Sequence, residues 1–210
     1  MAEKIVLPKA FTKEWLSYVW DYYRYHILIG IAVIILAVIT IVEITTAVKF
    51  DTNINYVSTS VISQETADKI AHSCEAVCGD LDKNGEVNVS FSQYNFTDEA
   101  IQDANIYSAL MNKLMAMFAT EEEFVYIVDK NMMEKILNME STEDLFISAN
   151  KWAGTKDTDD VYGVSLKNST VLKELGVDAT DLYVMLRMND NEELQFEEEN
   201  AKTIANFLRK

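Results

Sequence analysis

The chain is poor in the residues that punctuate or cross-link a protein. It has one Pro, six Gly, two Cys and two His in 210 residues. So few Gly and Pro exclude a collagen-like chain and a Pro/Gly-rich disordered one. Two Cys exclude a disulfide framework, and they cannot supply a four-ligand zinc site by themselves. Two His, His26 and His72, leave little material for nucleophile–base catalysis. Positive charge is also scarce, with 18 Lys/Arg against 34 Asp/Glu and a net charge of −16. Such a surface repels phosphate backbones, so a nucleic-acid partner is not expected.

What is present divides the chain in three. Residues 1–26 carry Lys4, Lys9, Lys13 and Arg24 against Glu3, Glu14 and Asp21. Ile27–Val42 has no charge, Glu43 interrupts it, and Ile44–Val48 extends the apolar span. At about 1.5 Å per residue, residues 27–48 cover the roughly 30 Å hydrocarbon core of a bilayer. The rest, residues 49–210, is the acidic part.

We read residues 27–48 as a retained single-pass anchor. A cleaved signal peptide is the rival, with Thr45-Thr46-Ala47 as a small-residue cleavage site. The 26-residue leader and the length of the apolar run speak against it. Glu43 falls near the outer end, where a carboxylate reaches the interface; at depth it would mark a helix partner. Four Lys/Arg precede the span, whereas Lys49 borders it and the next is Lys69. The positive-inside rule then puts the amino terminus in the cytoplasm and the acidic domain outside. In the leader, Phe11, Trp15, Tyr18 and Tyr22 share one helical face. Such rings suit the headgroup level, so an interfacial helix running into the span is expected, with a partner-docking helix as the alternative.

Residues 49–210 suffice for one core of ordinary size. Periodicity predicts strands at Asn53–Thr59, Glu86–Phe96, Phe124–Val128, Val161–Leu166 and Leu182–Met188. It predicts helices at 64–77 (capped by Ser63), 103–119, 131–138, 169–175 (closed by Gly176) and 197–208. Alternation of this kind predicts a three-layer α/β domain with a mostly parallel sheet of about five strands.

The order and several segments resemble the first lobe of type 2 extracellular solute-binding proteins. The segments are the strand at Glu86–Phe91, the helix with Leu110-Met-Asn-Lys-Leu114 and the strand Phe124–Val128. The loop Thr142-Glu-Asp-Leu145 and the segment Tyr162-Gly163-Val164 follow them. The likeness spans roughly residues 52–166. Thr120-Glu-Glu-Glu123 stands where that family has a Gly-x-x-Pro-Asp turn, and Ser165 where it has Pro. A second lobe is missing, so hinge closure on a ligand within this chain is not implied. The leader, single span and outer domain together are also similar to small anchored proteins of unassigned function from Gram-positive anaerobes. The resemblance implies shape rather than transport.

One short segment has metal-ligand spacing. In Asp80-Leu-Asp82-Lys-Asn84-Gly85-Glu86-Val87, oxygen-bearing residues occupy positions 1, 3 and 5 and Gly occupies 6, like the front half of a calcium loop. Asp80, Asp82, Asn84 and the Glu86 carbonyl are the candidate ligands. Position 12, normally a bidentate acid, is Phe91, so a plain turn before a strand is the competing reading. Cys74 and Cys78 lie four apart on an apolar stripe and read as buried small hydrophobes. A disulfide between them needs the helix to end near Cys78. A Cys74/Cys78/His72 metal site lacks a fourth ligand. Paired acids such as Asp159/Asp160 or Glu121–Glu123 read as solvated charge. No Gly-x-Ser-x-Gly, phosphate-loop or His-Glu-x-x-His pattern occurs. The expectation is therefore a non-catalytic, membrane-anchored binding or interaction module. It has no cofactor unless calcium, and its partners are the lipid bilayer and an envelope or membrane protein. A calcium-stabilised structural or sensory domain is the alternative.

Overall fold

The structure, a computed structural model, describes residues 11–46, 49–120, 123–139, 145–154, 162–189, 191 and 194–210, with the side chains of residues 14 and 43–46 excepted. The placement of Glu43, the charges at Glu121 and Asp159/Asp160, the segment starting at Thr142 and the strand start at Val161 fall outside the described residues or side chains. The chain forms two compact units, Met1–Val48 and Lys49–Lys210.

Among the described residues, the first unit is the helix α1 (Lys13–Thr46). Thr12 caps it, its hydroxyl accepting from Trp15 N at 3.3 Å. The aromatic leader and the apolar span are therefore one unbroken helix of about 51 Å, without the turn that separates an interfacial segment from a span. The Trp15–Val42 stretch is long and apolar enough to cross a membrane. Its large side chains, Ile34 and Leu36 among them, are exposed within the chain. Thr40 Oγ1 donates to Leu36 O at 2.9 Å, so this hydroxyl needs no water partner. Phe11 packs against Trp15 and Tyr18 stacks on Tyr22, as their spacing on one helix face requires.

The second unit is α/β. Its elements run β1 (Thr52–Ser58), α2 (Gln64–Glu75), β2 (Val89–Asn95), α3 (Asp98–Gln102), α4 (Ala104–Ala119), β3 (Val125–Asp129) and α5 (Lys130–Leu137). They continue with α6 (Ala149–Ala153), β4 (Gly163–Ser165), α7 (Thr170–Glu174), β5 (Leu182–Leu186) and α8 (Gln195–Leu208). The sheet order is β2-β1-β3-β5-β4. β1 pairs in parallel with β2 and β3, placing Ile54 beside both Phe91 and Val125. β5 is antiparallel to both β3 and β4. Four strands thus share a direction and β5 alone is reversed, which makes the sheet mixed but mostly parallel.

Alternating residues feed two cores, one on each face. Ile54, Tyr56, Val125, Ile127 and Val184 pack with α2 and α8 residues such as Ile70, Cys74, Ile204 and Leu208. Val57, Tyr126, Val128 and Met185 pack with Leu114, Met117 and Phe118 of α4 and Met132, Met133 and Ile136 of α5. All five β3 residues are buried, as a short apolar run at the sheet centre should be.

Local capping agrees with the sequence. Ser63, Asp103 and Ser169 each accept a hydrogen bond from the first turn of α2, α4 and α7, and Gly176 follows α7 at φ +76°. Other expectations are corrected. β2 begins at Val89, because residues 80–88 are a hydrogen-bonded loop rather than strand. The helix expected at 103–119 is buried only in its later turns, at Leu114, Met117 and Phe118, while Ile106 near its start is 49% exposed. α2 stops at Glu75, and Cys74 and Cys78 are free thiols.

Candidate functional site

Among the described residues, two polar centres stand out in the domain, at opposite ends of the sheet. The first is the acidic loop, at the amino ends of the parallel strands, where the chain enters the domain. Asp80 and Asp82 come together there with Asp51, the residue just before β1. One carboxylate oxygen from each lies within 4.8 Å of the others. Asp51 is only 7% exposed and acts as a hub. Its Oδ1 accepts from Leu81 N at 2.7 Å and its Oδ2 from Asn88 N at 2.8 Å, while its own N–H donates to Asn88 O.

Within the loop, Gly85 N donates to Asp80 Oδ2 at 2.8 Å, and Asn84 N donates to Asp82 Oδ1 at 3.0 Å. The Gly85 bond is the main reason Asp80 sits below the ordinary carboxylate range. Asp80 Oδ1 is buried and accepts no hydrogen bond. Asn84 turns back on the loop, its Nδ2 donating to Asp82 and its Oδ1 accepting from Glu86 N at 2.7 Å; the Glu86 side chain is exposed. The four residues singled out by spacing are thus placed in one loop, and two of them join a third acid from outside it. Asp51 was missed because it precedes the loop by some 30 residues and carries no motif. A recess of about 280 Å³ beside them is walled by Phe50, Leu81, Phe124 and Leu194, with Asp51, Asp82 and Glu197 at its polar side.

The second centre is at the carboxyl ends of β1 and β3. After β1 the chain turns to α2 on one face; after β3 it turns to α5 on the other. Two adjacent parallel strands whose connections diverge leave a crevice between them. In open α/β sheets this is where ligands bind. Here Asp129 closes β3 and caps α5, accepting from Met132 N at 2.8 Å. Its Oδ2 reaches across to β1 and accepts from Ser58 Oγ at 2.9 Å, from Thr59 N, and from Thr59 Oγ1 at 2.7 Å. Burial opposes the charge of Asp129. The bonds from Thr59, Met132 and Ser58 outweigh burial and hold it below the ordinary range.

A hydroxyl chain continues the floor, with Ser60 Oγ 2.9 Å from both Ser58 Oγ and Tyr56 Oη. Over this floor lie three adjoining recesses. One of about 400 Å³ is lined by Thr59, Ser60, Asn131 and Asp181. The next, of about 490 Å³, shares Thr59 and Asn131 with it. The third, of about 320 Å³, shares Ser60 and Asp178. The sequence carried a faint signal for this centre: hydroxyl residues follow β1, and an Asp stands at the junction of β3 and α5.

His72 is exposed and its Nδ1 lies 2.6 Å from Glu75. Burial, the largest cause, pushes the Cys78 thiol up to about 12 and raises Cys74 further. No family model, curated protein or solved structure matches this chain.

Proposed function

We propose that this protein is a single-pass, membrane-anchored binding module, not a catalyst. It presents its α/β domain outside the cell and engages a partner through the crevice over β1 and β3. The observation that carries this reading is the position of the crevice, at the end of the sheet opposite to where the chain enters the domain. Adjacent parallel strands whose connections diverge to opposite faces are where open α/β sheets bind ligands. The apolar α1 supports the anchor, and the Lys/Arg bias before the span supports the orientation. The likeness to one lobe of a solute-binding protein supports a binding role, without a second lobe to close. The partner expected is an envelope or membrane protein.

Photocrosslinking in native membranes tests this reading. A photoreactive residue at Asn131, in the crevice, is expected to capture a partner. One at Glu86, at the opposite end, is expected to capture much less. Recovery of the uncrosslinked monomer from both positions would count against a binding module.

The acidic loop favours a second role, a calcium-stabilised domain. The specific observation is the convergence of Asp51, Asp80 and Asp82 together with the unpartnered Asp80 Oδ1. Calcium takes six to eight oxygens, and this cluster supplies part of such a set.

A further inference from the structure

We infer that α1 pairs with α1 of a second copy of this chain, parallel and in register, through an aromatic seam on its amino-terminal half. This rests on α1 being the retained anchor and adds what covers the face that the membrane leaves bare. α1 runs from Lys13 to Thr46 without a break. Residues 27–48 already fill the hydrocarbon core at the usual tilt of about 20°. The headgroups on one side take roughly another 5–8 Å. Trp15 lies 12 residues before Ile27, about 18 Å further along the axis. An unbroken helix cannot turn there to lie on the membrane surface, so lipid does not cover Trp15 or Tyr18.

The bare rings are not scattered. Trp15, Tyr18, Tyr22 and Tyr25 follow one another at gaps of three, four and three residues. That 3.5-residue period is the seam of two helices wound about each other. Ile29, Ala32, Leu36 and Ile39 continue the alternation, so one seam can run the length of the pair. Phe11, just before the helix, packs back on Trp15 with ring centres 5.4 Å apart, and Tyr18 stacks on Tyr22 at 6.1 Å. Tyr22 is 67% and Tyr25 64% exposed in the single chain. Lys13, Ser17 and Arg24 lie on the other side of the helix, exposed, where they stay in water.

Orientation, charge and area make the occupant a second copy. Two copies anchored in one membrane cross it in the same direction, so their α1 helices are parallel and the same rings come to the same height. In that register, residue 21 flanks the seam of one helix beside residue 26 of the other. These are Asp21 and His26, both exposed in the single chain. An acid thus meets a base on each side of the pair. The seam presents five rings from each copy, Phe11 included. If each loses about 100 Å², half of what an aromatic side chain can bury, the pair covers roughly 1,000 Å², the size that a specific interface needs.

The test is a cysteine walk in native membranes, on the full chain with Cys74 and Cys78 replaced by Ala. A single Cys is placed at each position from 15 to 22 in turn and oxidised with a membrane-permeant copper complex. Disulfide-linked dimer is expected to peak at positions 15, 18 and 22 and to be lowest at 17 and 20. A second arm keeps Tyr18→Cys and adds either Trp15→Ala/Tyr22→Ala or Trp20→Ala/Tyr23→Ala, the latter removing two rings off the seam. The first pair should lower the dimer yield about fivefold or more, and the second should leave it near that of Tyr18→Cys alone. Peaks at 17 and 20, a flat yield along the walk, or equal loss from the two ring pairs would overturn the inference. A linked product that is not twice the mass of the chain would assign the seam to another protein and overturn it too. In each of these cases a chain that stays in the membrane fraction leaves the anchor standing. Release of the chain from that fraction would remove the anchor reading and the inference with it.

Discussion

Thr59 and Asp129 are joined twice across the carboxyl ends of adjacent strands. The backbone N–H and the hydroxyl of Thr59 both donate to Asp129 Oδ2. The same carboxylate caps α5 through Met132 N. One side chain therefore fixes the end of β1, the end of β3 and the start of a helix.

Replacing that carboxylate should be costly to stability. Asp129→Ala removes a helix cap and leaves the donors of Ser58, Thr59 and Met132 without their acceptor. A loss of about 2–3 kcal/mol is expected. Asp129→Asn, which keeps an acceptor oxygen, should lose less. Urea denaturation of the full chain in detergent micelles measures both, and equal stability of all three proteins would contradict the role.

The carboxylate also sets an acid limit. Its folded-state pKa lies below the ordinary value of 3.8. Its contribution is therefore fully present above that value and is lost as pH falls through the lower folded-state value. Melting temperature measured against pH should fall more steeply on the acid side for wild type than for Asp129→Asn. Superimposable acid limbs would argue that Asp129 is not the group.

Gly163 opens β4 where two neighbours press on it. A Cβ there would lie 2.5 Å from Met133 Sδ and 3.3 Å from Tyr183 Cβ. Met133 is buried and can move only by disturbing the α5 core. Gly163→Ala is expected to destabilise by about 1–3 kcal/mol, read from the same urea curves. A neutral substitution would show that Met133 has room to withdraw.

The strands and the longer helices were legible because each carries its own period and cap. β1, β3, α2 and α5 fall within a residue or two of where alternation and capping put them. What was not legible depends on residues distant in sequence. The position of β5 between β3 and β4, and its direction against both, are properties of strand pairing that no local pattern encodes. The short helices α3 and α6 have five residues each, too few for a period to show. Of the candidate sites, the acidic loop was visible as a spacing, but its hub Asp51 was not. The crevice joins Thr59 to Asp129 across 70 residues, so only the folded sheet reveals it.

If the acidic loop binds calcium, the ion should stabilise the domain. At a hundredfold excess over its dissociation constant, a ligand adds about 2.7 kcal/mol. For a chain of this size that raises the melting temperature by roughly 5–10 °C. Asp82→Ala, at an exposed position, should abolish the gain with little effect in chelator. A wild-type melting curve unmoved by calcium would remove this role.

The two thiols should be inert while the domain is folded. Burial disfavours the thiolate of both, taking Cys78 to about 12 and Cys74 beyond it. Maleimide labelling near pH 7.5 should therefore be slow natively and rapid in urea. Fast native labelling would mean that the end of α2 opens readily.

Inert native thiols make a reporter cysteine usable for the central claim, an outward-facing tethered domain. Asn131→Cys, made in a chain with Cys74 and Cys78 replaced by Ala, puts a single thiol at the crevice. On intact cells, a membrane-impermeant maleimide should label it as fully as it does after permeabilisation, and the labelled protein should stay in the membrane fraction. Labelling only after permeabilisation, or recovery of the domain free of the membrane, would contradict the account.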